Sequence, residues 1–123
     1  MARILIIEDS ADNMRLFQAV LRLHRHEIRG MADGTGLQAT MESFAPDLVL
    51  MDIQLPGRDG YELLREIRAF PAPLADVRIL ALTAHAMAGD EAKVLDAGFD
   101  GYITKPISVA AFPHQIHEAL GPR

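Results

Sequence analysis

At 123 residues the chain is expected to form one domain over 1–123, large enough for a continuous core and too short for two. Half of the residues are hydrophobic and 24% are charged, the balance of a globular protein, and the net charge of -5 gives no reason to expect nucleic acid or an anionic membrane as partner. Cysteine is absent, which excludes disulfides, thiolate catalysis and thiolate metal sites. No apolar run approaches the roughly 20 residues of a membrane span. A strand-like run starts within about three residues of the amino terminus, leaving no room for a signal peptide, so a cytoplasmic protein is expected.

Taken in order, Arg3–Ile7 is a short apolar, β-branched run that ends at Glu8-Asp9. Ser10 or Asp12 can cap the helix that follows, with Leu16, Phe17, Val20 and Leu21 on one face. His24, Arg25 and His26 close it, where positive charge suits the carbonyl end. Glu27–Met31 is a weaker strand, and a helix over Leu37–Phe44 is ended by Pro46. The run 48–51 has no polar alternation, so it reads as a strand covered on both faces, and it delivers Asp52 to a loop opened by Pro56-Gly57. Asp59 can cap a helix carrying Tyr61, Leu64 and Ile67 and running through Arg68 to Phe70, stopped by Pro71 and Pro73. A strand over 77–82 ends at Thr83, a helix over 88–97 stops at Gly98, and Gly101–Thr104 is a last strand ending at Lys105-Pro106. Ser108 caps a final helix containing Phe112, Ile116 and Leu120.

Five strand-helix units in alternation predict an α/β fold: a five-stranded parallel sheet wrapped on both faces by five helices. The flavodoxin-like order 2-1-3-4-5 puts the switch point between the first and third strands, which end in Glu8-Asp9 and Asp52. Glu8, Asp9, Asp52, Thr83 and Lys105 would then meet at one rim. Three carboxylates together repel unless a cation is bound, and hard oxygen ligands without Cys or His favour Mg²⁺. Lys105 adds a fixed positive charge and Thr83 a hydroxyl, so the set suits a phosphoryl group, with Asp52 able to act as nucleophile.

The ordered pieces IIED at 6–9, VLMDIQLPGRDG at 49–60, LTA at 82–84 and YITKP at 102–106 resemble the receiver domain of bacterial two-component response regulators. MDIQLP, AMAGDE at 86–91 and KPIS at 105–108 are most similar to the single-domain DivK group and to the receivers of hybrid kinases. The resemblance implies that Asp52 is the phosphoacceptor and that Asp9 and Asp52 bind Mg²⁺ directly. It further implies that Glu8 acts mostly through metal-bound water and that the Gln54 backbone carbonyl is the third protein ligand. Thr83 and Lys105 would contact the phosphoryl oxygens, and Lys105-Pro106 would be a cis peptide. One departure is Glu8, where many relatives carry Asp; the longer side chain should shift the metal geometry without abolishing binding.

The reading that follows is a phosphorylation-controlled signalling switch. It would take its phosphoryl group from a histidine kinase or a histidine phosphotransfer protein, without catalysis beyond its own phosphorylation and dephosphorylation. Thr83 and Tyr102 would form the switch, against the plainer reading of Tyr102 as an edge-strand aromatic. Gln54 and His85, each two residues beyond a site residue, would tune the lifetime of the phosphorylated state. A chain ending at Arg123 would signal as a monomer through protein contacts on the 88–120 face, with the phosphodonor docking near Asn13 and Met14. His114 and the basic run from Arg22 to Arg29 read as solvated surface, and Met14 and Met87 as core-edge residues. The alternatives are a receiver cut from a hybrid kinase, a receiver-like module that is never phosphorylated, and a metal-dependent phosphatase with an aspartyl nucleophile. Such phosphatases usually need a second aspartate two residues on for acid-base work, and that place holds Gln54.

Overall fold

The apolar runs lack alternation because both faces of the sheet are covered. The computed structural model describes residues 2–84 and 90–121. Strands β1 (Arg3–Ile7), β2 (Glu27–Met31), β3 (Leu48–Asp52), β4 (Arg78–Thr83) and β5 (Gly101–Thr104) make one sheet in the order β2-β1-β3-β4-β5. Every neighbouring pair is parallel. Helices α1 (Ala11–Leu23), α2 (Leu37–Phe44), α3 (Gly60–Arg68), α4 (Asp90–Ala97) and α5 (Phe112–Ala119) alternate with the strands. The fold class and strand order are therefore those expected from the sequence.

Successive strand residues feed opposite layers. Ile4, Ile6, Leu48, Leu50, Leu80 and Leu82 pack with Phe17, Val20 and Leu21 of α1 and Phe112 and Ile116 of α5. Leu5, Ile7, Val49, Met51, Ile79 and Ala81 pack with the inner faces of α2, α3 and α4. The rings of Phe17 and Phe112 stand 5.6 Å apart and tie α1 to α5. Registers that pair Ile7 with Met51, Asp52 with Leu82 and Thr83 with Thr104 bring the carboxyl ends of the four strands to one rim.

Helix starts follow the side-chain chemistry at β1 and β3. Ser10 Oγ accepts a hydrogen bond from the Asn13 N–H at 3.3 Å, and Asp59 accepts from the Glu62 N–H at 2.9 Å, each satisfying an orphan donor of the first turn. Gly60 opens α3 because nothing larger fits: a Cβ there would lie 2.7 Å from both the Asp52 carbonyl oxygen and Ile53 Cα. The start of α3 is thus pressed directly against the end of β3.

Three boundaries or positions differ from expectation, and a fourth is only partly described. Leu16 is 39% exposed, at the flank of the buried stripe formed by Phe17, Val20 and Leu21. The fourth strand begins at Arg78, since Val77 still donates to Leu74 O in a 3-10 turn over Leu74–Asp76, and it takes in Thr83. Ser108 does not cap α5; its hydroxyl accepts from Ala111 N–H at 3.2 Å in a preceding turn, and the helix starts at Phe112. Pro113, with its φ preset for a first turn, fixes that later start. The helix expected over 88–97 is described as Asp90–Ala97, and its first two positions, with His85 and Met87, lie outside the described residues.

Arg68 at the end of α3 is the main tie between this helix and the segments around it. Its guanidinium donates to Ala75 O at 2.8 Å, Val77 O at 2.6 Å, Gly98 O at 3.2 Å and Asp100 Oδ2 at 3.0 Å. Asp100 Oδ2 also accepts from the Ile79 N–H at 2.8 Å, so the network reaches β4. Replacing Arg68 with Ala strands these acceptors and should cost about 2–4 kcal/mol. A thermal melt should show a fall of roughly 10 °C; an unchanged melting temperature would show that water substitutes for the guanidinium.

Candidate phosphorylation site

Lys105 enters the rim from the loop after β5, and its backbone N–H donates to Thr83 O at 2.7 Å, which fixes the loop to the end of β4. The peptide between Lys105 and Pro106 is cis, as the resemblance implies. The ammonium lies between two carboxylates, 3.0 Å from Asp52 Oδ2 and 3.1 Å from Glu8 Oε1. Both acids are almost wholly buried, with side chains 3% and 1% exposed. The other Asp52 oxygen, Oδ1, accepts from the Gln54 N–H at 2.9 Å. Glu8 Oε2 accepts from the Ser10 N–H at 3.2 Å, and Glu8 Oε1 also lies 3.5 Å from the Asn13 amide nitrogen.

Asp9 is exposed beside this buried pair, and ligand atoms of Glu8, Asp9 and Asp52 all lie within 4.8 Å of one another. The electrostatics follow from that crowding. Burial raises the Glu8 pKa above its ordinary value, and the hydrogen bond and charge of Asp52 raise it further, against the opposing pull of the Ser10 N–H and Lys105. For Lys105 burial opposes the ammonium, but contacts with Asp52 and Glu8 outweigh it and hold its pKa above the ordinary value. One ammonium thus serves two buried acids, with a third acid at the mouth.

Thr83 is 2% exposed at the end of β4, and Tyr102 is half-buried on the neighbouring strand, where it packs on the α3 side of the core. Its neighbour Glu91 on α4, together with burial, raises the phenol pKa above its ordinary value. Gln54 is exposed, while His85 lies outside the described residues. The remaining histidine and basic candidates are surface: His114 is 72% exposed and pairs with Glu118 at 2.8 Å, and Arg22, Arg25 and Arg29 are exposed. Met14 is half-buried against the α1 side of the core. Sequence reading missed one partner, Glu8 for Lys105. The two are 97 residues apart, so only the order of the strands brings them together.

A family model for the response regulator receiver domain matches residues 4–117. The chain is 36% identical over 118 residues to the polar-differentiation response regulator DivK of Brucella abortus, covering 96% of this chain and 95% of DivK. It is 40% identical over 108 residues to the sensor protein GacS of Pseudomonas syringae pv. syringae, but that match spans 86% of this chain and only 12% of GacS. Among solved structures, the receiver domain of sensor histidine kinase PA1611 from Pseudomonas aeruginosa PAO1 superimposes with a TM-score of 0.86 at 36% identity, covering 98% of each chain. That receiver has a magnesium ion coordinated in its active-site cleft. The chain belongs to the response regulator receiver domain family. It is a DivK-like receiver, a phosphorylation switch of two-component signalling. Receiver domains are signalling switches, accept phosphoryl from histidine kinases and bind Mg²⁺ at an acidic pocket. Among the described residues no helix is long and apolar enough to cross a membrane.

Proposed function

We propose that Asp52 is the phosphoacceptor of this receiver and that Asp9, Asp52 and the Gln54 backbone carbonyl hold Mg²⁺, with Glu8 acting through metal-bound water. The observation that carries the reading is the shared ammonium of Lys105, 3.0 Å from Asp52 and 3.1 Å from Glu8 at the mouth of an all-oxygen acidic cluster. The donor set fits a hard divalent cation, since every candidate ligand is an oxygen and Asp9 faces solvent. Mg²⁺ would supply charge neutralisation for the incoming phosphoryl oxygens. In the transfer, an Asp52 oxygen forms the new P–O bond as the donor's P–N bond breaks, and the electron pair leaves with the imidazole. Lys105 stabilises the charge that develops, and the Gln54 N–H holds the second carboxylate oxygen in place.

The phosphodonor would be a histidine kinase or histidine phosphotransfer protein working in the cytoplasm and docking near Asn13 and Met14. Output would run through protein contacts on the 88–120 face. The match covering 95% of DivK supports a DivK-like regulator; a single receiver domain acting as a monomer, without chemistry beyond its own phosphorylation and dephosphorylation, is part of the proposal. Gln54 and His85 would tune dephosphorylation, by access of water to the acyl phosphate. A phosphatase reading has less support, because Gln54 cannot act as the acid-base group.

Two outcomes test the parts of this site. Asp9→Asn removes one of three crowded carboxylates, so the metal-free variant should melt a few degrees higher than the native chain. Added Mg²⁺ should raise the melting temperature of the native chain by mass action and leave that of the variant unchanged. Equal responses to Mg²⁺ would remove Asp9 from the metal site. Thr83→Ala should leave Asp52 phosphorylatable but abolish the rearrangement of Tyr102, since the hydroxyl is the contact that distinguishes the two states. Spectra in which Tyr102 responds fully to a phosphoryl mimic in Thr83→Ala would count against that coupling.

A further inference from the structure

Next to the phosphorylation site a cavity of about 220 Å³ separates α3 from α4. Its walls include Gln54 and Thr83 at the rim of the sheet, Tyr61 of α3, and Lys93 and Val94 of α4. Thr83 and Val94 are buried while Gln54 and Lys93 are exposed, so the cavity runs from the packed end of β4 to the surface. Two contacts fix its α3 wall. The Tyr61 ring stands edge-on to the buried ring of Phe99, with centroids 5.7 Å apart. Lys93 Nζ lies over the Tyr61 ring, 5.2 Å from its centroid. The apolar stem of Lys93 thus crosses from α4 to α3, and its ammonium rests on an aromatic face. The described part of α4 buries a single side chain, Val94, so a bridge to α3 bears directly on where this helix sits.

We propose that Lys93 is a positioning residue for the phosphorylated state: its bridge to Tyr61 covers the cavity beside Thr83 and restricts the water that reaches the acyl phosphate on Asp52. The proposal rests on Asp52 being the phosphoacceptor. In dephosphorylation a water oxygen bonds to phosphorus as the bond from phosphorus to the Asp52 oxygen breaks. Inorganic phosphate and a proton leave, and the Asp52 carboxylate is restored. Water admitted through the cavity arrives beside Gln54, whose backbone N–H donates to Asp52 Oδ1 at 2.9 Å. With the bridge made, that route is covered; with it broken, α4 can draw back from α3 and water enters. A contact made only in the covered form biases the chain toward that form. An exposed ammonium on an aromatic ring biases such an equilibrium about two- to fivefold. The lifetime of the phosphorylated state lengthens by the same factor.

The test follows loss of the phosphoryl group by intact mass, after labelling with acetyl phosphate and Mg²⁺ and removal of the donor. The chains compared are the native protein, Lys93→Ala, Lys93→Arg, Tyr61→Leu and the double variant Lys93→Ala with Tyr61→Leu. Lys93 is exposed, so its replacement leaves the core intact, and Tyr61→Leu keeps an apolar side chain against Phe99. Lys93→Ala should lose the group about two- to fivefold faster than the native chain. Lys93→Arg, whose guanidinium can also rest on the ring, should decay at close to the native rate, a rescue that loss of helix packing would not give. Tyr61→Leu should match Lys93→Ala, and the double variant should be no faster than either single change, because one contact is removed in all three. A Lys93→Ala decay at or below the native rate overturns the role of Lys93 and leaves Asp52 standing as phosphoacceptor. Equal decay of Lys93→Ala and Lys93→Arg, or a double variant whose acceleration is the product of the two singles, overturns the bridge. A native chain that takes up no phosphoryl group overturns the site itself and the role of Lys93 with it.

Discussion

Lys105→Met should slow phosphorylation of Asp52 by about a hundredfold at saturating Mg²⁺, the usual effect of losing one preorganised stabiliser of developing charge. The same change should strengthen the response to Mg²⁺, because the ammonium that competes for Glu8 and Asp52 is gone. Stability should fall too. Without Lys105, two acids with side chains 1% and 3% exposed have no cation beside them, a loss of about 3–5 kcal/mol at neutral pH in the absence of metal. The pH dependence has a definite sign. The Glu8 pKa is already raised above 4.5 in the folded chain, chiefly by burial, and losing Lys105 raises it further. The folded state therefore binds this proton more tightly than the unfolded state does. The stability it contributes is full below 4.5 and is lost as pH rises through the raised folded value. The melting-temperature gap between variant and native chain should thus be small in acid and widen toward neutral pH. A gap independent of pH, or a phosphorylation rate close to native, would show that Lys105 is not the partner that makes this acidic rim tolerable.

Much of this site is legible in the chain because the relevant groups each follow a strand directly. Once the order 2-1-3-4-5 is inferred, Glu8, Asp52, Thr83 and Lys105 must share a rim, and the structure brings them there. The continuous apolar run 48–51 also identifies β3 correctly as the central strand covered on both faces. What could not be read depends on which side chains meet across the sheet. That Glu8 turns inward to Lys105 while Asp9 faces solvent is decided by the alternation of the chain after β1 and by the Ser10 N–H. The approach of Glu91 to Tyr102, which raises the phenol pKa, requires the packing of α4 on β5, of which a single sequence carries no sign. Boundaries slipped where local turns competed with the periodic signal, as the 3-10 turn before β4 and the turn at Ser108 before α5 show. Gly60 sits inside a motif that sequence reading quotes without a role; its reason is the close approach of α3 to the Asp52 carbonyl.

The central claim is that Asp52 accepts one phosphoryl group, and Asp52→Asn carries the largest effect expected of any single change. Asparagine keeps the size of the side chain and can still accept from the Gln54 N–H, so the loop after β3 should hold its shape. It removes the charged oxygen that would form the new P–O bond, and the amide is far too weak a nucleophile to replace it. It also removes a negative charge beside Glu8, which should make the metal-free variant no less stable than the native chain. The deciding measurement is intact mass after incubation with acetyl phosphate and Mg²⁺, for the native chain and Asp52→Asn side by side. The native chain should gain the mass of one phosphoryl group, fail to gain it when Mg²⁺ is chelated before the donor is added, and the variant should gain none. A variant that labels as well as the native chain would place the phosphoryl group elsewhere and contradict the account.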